Sequence, residues 1–112
     1  MVSRPRLAKK KRDRSVRREA ARRREKIAAA RRTLHLREAG GSADHPIDVQ
    51  SASQIDGVAR ALTCAGCDEK LLIEHEHATV RGGYVVRTVE LRCRQCGEPR
   101  VAFFRVMTTV LH

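Results

Sequence analysis

Four side chains in this sequence could act together on one atom. Cys64, Cys67, Cys93 and Cys96 are its only cysteines and form two Cys-x-x-Cys pairs, with twenty-five residues between the pairs. A tetrahedral zinc ion takes four thiolates at about 2.3 Å, and two such turns can aim all four sulfurs at one point. The surrounding residues suit this geometry. Gly97 directly follows Cys96, where a metal knuckle commonly needs positive φ. Gly66 lies inside the first turn and Asp68 follows it, and Asp tolerates the left-handed region better than most residues. The expectation is one structural Zn2+ held by Cys64, Cys67, Cys93 and Cys96. A site with four protein ligands leaves no position for water or substrate, which argues against zinc-dependent hydrolysis.

Other chemistry has less support. Iron is the alternative metal, since rubredoxin-like sites also use paired Cys-x-x-Cys turns. Such domains are typically rich in aromatics, and here Tyr84, Phe103 and Phe104 are the only ones. A disulfide switch released by metal loss has no separate support. His75 and His77 stand two apart in Glu74-His75-Glu76-His77, a spacing that suits a second metal or a base but equally a polar strand tip. No serine or further cysteine accompanies them, and no glycine-rich phosphate loop is present. The expectation is a non-enzymatic protein with no small-molecule substrate.

The second feature is charge. Residues 1–39 hold sixteen Lys and Arg against four acids, a net +12, whereas residues 40–112 hold eight against nine, a net −1; together they give the chain's +11. Lys9, Lys10, Lys11, Arg12, Arg14, Arg17, Arg18, Arg22, Arg23, Arg24, Lys26, Arg31 and Arg32 are the candidate nucleic-acid contacts. Cations that neutralise phosphates release counterions, so such binding falls steeply with salt. Arginine-rich segments commonly fold on RNA, which slightly favours RNA over DNA. A membrane surface fits poorly, because the arm lacks the bulky apolar residues of an interfacial face. In the second half, Arg87, Arg92, Arg94, Arg100 and Arg105 are offset by nine acids. Phe103 and Phe104 alternate faces, and Phe103 is the expected core residue, with Phe104 partly exposed as a candidate stacking platform.

The elements that must position these residues follow from pattern. Residues 6–39 are rich in helix formers with no interior Pro or Gly, Pro5 precedes them, and Gly40-Gly41 ends them. The apolar stripe Val16, Ala20, Ile27, Ala30, Leu34 is thin and interrupted by Arg23 and Arg37, too weak for a coiled coil. A helix polar nearly all round is marginal alone, so residues 1–39 read as a helical or disordered arm that orders on a polyanion or partner. Residues 40–46 read as a linker and 47–112 as the metal domain. Pro46 to Val49 looks extended. Ser53-Gln54-Ile55-Asp56 has capping-box form and predicts a helix of about two turns, which Gly57 weakens. Leu71, Ile73, His75 and His77 alternate with Leu72, Glu74 and Glu76 along a strand. Gly82-Gly83 is a hairpin turn, Tyr84 to Arg92 places Val85, Val89 and Leu91 on one face, and Arg100 to Met107 gives a third strand.

Knuckle, hairpin, knuckle and closing strand from Cys64 to Val106 resembles the four-cysteine zinc-ribbon superfamily. The resemblance implies metal ligation by the four cysteines and nothing further. Neither knuckle has the proline that many ribbons carry after the first cysteine; Ala65 and Arg94 stand there. A basic extension ahead of a ribbon is similar in plan to small zinc-ribbon ribosomal proteins, an analogy of architecture alone. The expected fold class is a small metal-stabilised β domain, a zinc ribbon of about three antiparallel strands behind a long basic arm. Residues 1–30 hold no apolar run of the roughly 7–15 residues of a secretory signal. With thiols on metal, the expected location is cytoplasmic, at the nucleoid or ribosome. The expected function is nucleic-acid association through the arm. The rival is an adaptor whose domain docks on a larger protein complex while its arm binds an acidic partner or dimerises.

Overall fold

The computed structural model describes residues 6–107, with side chains from Arg12 onward. Helix α1 runs over Arg6–Arg37, as the unbroken run of helix formers requires. It stops where Gly40 turns to φ +92° and Gly41 passes close to the helix end; a β-carbon on Gly41 would lie 2.1 Å from the His35 carbonyl oxygen. The chain from Gly40 to His45 folds back on itself. The Gly40 N–H donates to the His45 carbonyl, and the Gly40 carbonyl accepts the Phe103 N–H at 2.9 Å. These bonds tie the end of α1 to the sheet.

Strand β1 (Ile47–Val49) follows, then α2 (Ser53–Ala61), β2 (Leu71–Arg81), β3 (Tyr84–Cys93) and β4 (Pro99–Val106). The strands form one four-stranded sheet in the order β1-β4-β3-β2. This corrects the expected three antiparallel strands. β2, β3 and β4 are antiparallel neighbours, but β1 adds a fourth strand parallel to β4, from Ile47 opposite Phe104 to Val49 opposite Val106. A parallel pair needs a long crossover, and α2 with the β2–β3 hairpin supplies it.

Helix α2 has the expected length but not the expected cap. Its N-cap is Ala52, with no side-chain cap bond. The Gln54 side chain instead turns back to accept the N–H groups of Gln50 (2.7 Å) and Ser51 (3.4 Å). Ile55 and Ala59 face inward and meet Val49, Leu71, Val89, Leu91, Ala102 and Phe104 in one core that also includes Cys64 and Cys93. The core therefore lies between α2 and one sheet face and continues into the knuckles.

Two side-chain placements correct the expectations. Phe104 is fully buried and Phe103 is only half-buried. Register decides this: Phe104 and Ala102 stand opposite Arg87 and Val89 on the core face, whereas Phe103 pairs with Thr88 on the other. In β2 the register shifts between Ile73 and His75. Ile73 pairs with Leu91 on the core face, but His75 pairs with Glu90 and His77 with Thr88 on the opposite one. A bulge adds one residue to one strand, so the alternation that put Leu71, Ile73, His75 and His77 on one face breaks at Glu74.

Candidate metal centre and basic helix

The two knuckles are built alike. In the first, Cys64 accepts the Asp68 N–H on its carbonyl (2.9 Å) and donates its own N–H to the Glu69 carbonyl (2.9 Å). In the second, Cys93 accepts from Gly97 (3.1 Å) and donates to Glu98 (2.8 Å). Asp68 (φ 62°) and Gly97 (φ 78°) occupy the same left-handed position in each, as the sequence required. The turns also aim N–H groups at sulfur: Gly66 toward Cys64 Sγ at 3.3 Å, and Gln95 (3.3 Å) and Cys96 (3.4 Å) toward Cys93 Sγ.

All four sulfurs lie within 4.8 Å of one another, with Cys64–Cys96 at 3.5 Å and Cys67–Cys93 at 3.3 Å. Four ligands about 2.3 Å from a tetrahedral centre stand about 3.8 Å apart, so the cluster fits a single metal ion. Cys64 and Cys93 are buried and Cys67 and Cys96 exposed; one side of the centre is packed into the core and the other faces water. In the free thiols the proton distribution is uneven. The Cys96 N–H, with the Gln95 N–H and neighbouring sulfurs, outweighs burial and lowers Cys93 to about 6. At Cys67 the Glu69 N–H lowers the pKa, but the Cys93 sulfur, burial and the other sulfurs outweigh it and push the group up to about 12. Ligation of all four sulfurs by a cation would displace the protons that remain on them.

The basic residues divide into two populations. Arg12, Arg14, Arg17, Arg18, Arg22, Arg23, Arg24 and Lys26 are exposed along α1, and none of them joins an ion pair among the described residues. The side chains of Lys9, Lys10 and Lys11 lie outside the described residues. Arg31 and Arg32 are half-buried. Arg32 binds Glu98 through Nε (3.1 Å) and Nη2, and Glu25 through Nη1 (3.0 Å). Those bonds raise its pKa further. Glu98 also sets its other oxygen 3.9 Å from Cys64 Sγ, so α1 is fastened beside the metal centre. The sheet arginines are mostly neutralised: Arg81 by Asp44, Arg87 by Glu76 (3.3 Å), Arg92 by Glu74 (2.9 Å) and Arg105 by Asp48 (2.7 Å). Sequence reasoning gave weight to Arg32 only as a phosphate contact; its pairing with Glu98, sixty-six residues on, has no local signal.

His75 and His77 are exposed, and the nearest acid is Glu90, 4.0 Å from His77 Nδ1. The cysteine set is the one metal-ligating group of three or more side chains among the described residues. No described helix is long and apolar enough to cross a membrane. No protein family, no curated protein and no solved structure matches this chain.

Proposed function

We propose that this chain is a non-enzymatic zinc-ribbon protein that binds nucleic acid through α1. Zn2+ is the proposed ion because four thiolates in tetrahedral reach leave it closed and structural. One observation carries the nucleic-acid reading: the cations of Arg12 to Lys26 are exposed and without acid partners among the described residues, while four sheet arginines are each taken by a carboxylate. Phosphate is the partner that rewards an array of free cations on a rigid rod. The arm then supplies affinity with little sequence preference, RNA slightly favoured, and the metal domain anchors and orients it. Thiolates held on metal suit the cytoplasm, at the nucleoid or ribosome. The test is fluorescence anisotropy of labelled 12-nucleotide RNA and DNA against the metal-loaded full chain. Binding at 50 mM salt that weakens as salt rises is expected; absence of binding to either at 50 mM refutes the reading.

A second reading rests on the stripe Val16, Ile27 and Leu34, each more than half exposed. It would let α1 pair with another helix. A discrete dimer that persists after nuclease treatment, in light scattering at moderate salt, would favour this reading.

A further inference from the structure

One arginine of the sheet breaks the pairing pattern. Arg100 is half-buried at the start of β4, and Nη1 donates to the Thr63 carbonyl at 2.8 Å. It has no carboxylate within ion-pair reach among the described residues, unlike Arg81, Arg87, Arg92 and Arg105. Burial lowers its pKa, with only the more distant charges of Glu38 and Cys64 acting the other way. A half-buried guanidinium with no carboxylate in hydrogen-bond reach can take a charge-assisted, bidentate bond from one that a ligand delivers.

Arg100 lines a groove of about 350 Å³ between the end of α1 and the knuckle end of the sheet. Leu36, Ala65, Leu71, Pro99, Val101 and Phe103 form its apolar lining. The other cation there, Arg32, is already held by Glu98. His35 also lines the groove, and burial together with the Arg100 charge favours its neutral form. β4 borders the groove with an open edge. β1 pairs with it only from Phe104 on, and the Gly40 carbonyl takes the Phe103 N–H. From Pro99 to Ala102 that edge has no strand partner among the described residues.

We infer that this groove receives an extended acidic peptide of a protein partner, which adds along the β4 edge at Pro99–Ala102, seats an apolar side chain against Leu36 and Val101, and gives a carboxylate to Arg100. Strand addition supplies affinity through the main chain and specificity through alternate side-chain pockets. The free guanidinium selects acid over base, and the apolar wall selects a side chain over a bare anion. This site is separate from the exposed cations of α1 and stands whether or not they bind nucleic acid.

The test uses the metal-loaded full chain and two synthetic eight-residue probes, one alternating Val with Glu and one alternating Val with Lys, followed by amide NMR. The Val-Glu peptide is expected to shift the Val101 amide and the Arg100 Nε–H signal saturably, with the Val-Lys peptide at least tenfold weaker. Arg100→Gln should weaken the Val-Glu peptide about tenfold, and the charge-neutral Val101→Ser should weaken it severalfold while leaving the Thr63 contact intact. Unchanged far-UV dichroism and Co2+ absorption verify that each variant folds and holds metal. Equal response to both peptides, absence of saturation, or shifts confined to α1 overturns the inference. So does a 12-nucleotide RNA that shifts Arg100 and Val101 while the peptides do not.

Discussion

Substituting three arginines of α1 with glutamine should change how the chain responds to salt more than how it folds. Arg14, Arg18 and Arg22 stand at i, i+4 and i+8, and Lys26 continues the same ridge. Positions four apart lie on one helix face, and the twelve steps from Arg14 to Lys26 cover about 18 Å of axis at about 1.5 Å per residue. A straight rod lays one such ridge against a duplex, so about four phosphates are neutralised and log K should fall against log salt with a slope of about −3.6. Between 50 and 200 mM that is about a hundredfold loss of affinity. Single strands should give a slope of about −2.8. Arg14→Gln, Arg18→Gln and Arg22→Gln together should bring the duplex slope to about −1. Glutamine is nearly as good a helix former as arginine, so helical dichroism should hold. Anisotropy titrations at four salt concentrations measure the slope directly. A triple variant that keeps the wild-type slope would show that the contacts lie elsewhere and refute the reasoning.

Removing the metal with a chelator should unfold the sheet, because Cys64 and Cys93 belong to the core as well as the centre; structural zinc supplies on the order of 10 kcal/mol in small domains. Serine at Cys64 or Cys93 should lose metal more completely than serine at exposed Cys67 or Cys96, as read by Co2+ absorption. Phe104→Ala should cost about 3–5 kcal/mol in urea unfolding, whereas Phe103→Ala should cost about 1–2 kcal/mol; equal losses would overturn the register. His35 carries a lowered pKa, chiefly from burial and then from Arg100 and Arg31, with Glu38 and Glu98 opposing. The unfolded chain therefore binds a proton that the folded chain refuses, so stability should fall as pH drops through about 6.5 toward the folded value. His35→Gln should remove that part of the slope, measured as the difference between the two proteins at fixed metal.

The clustering of the four cysteines was legible in the sequence because its information is local. A Cys-x-x-Cys turn closes within five residues, and Gly97 and Asp68 mark the left-handed position that such a turn demands. The charge of the arm, its helix formers and the stop at Gly40-Gly41 are local for the same reason. Tertiary structure decided what depends on pairing between distant segments. Alternation along Val101 to Val106 shows that the two phenylalanines face opposite ways, but only the register with Arg87 and Thr88 says which is inside. One bulged residue at Glu74 moved His75 and His77 to the other face, and nothing in the local pattern announces it. The parallel β1, the Arg32–Glu98 fastening and the unpaired Arg100 beside the open β4 edge arise from contacts across tens of residues. The sequence by itself therefore determined the candidate ligands and the charge, since spacing and composition carry both. Only the folded chain decided which cations are left free, because that depends on which carboxylates the sheet brings within reach.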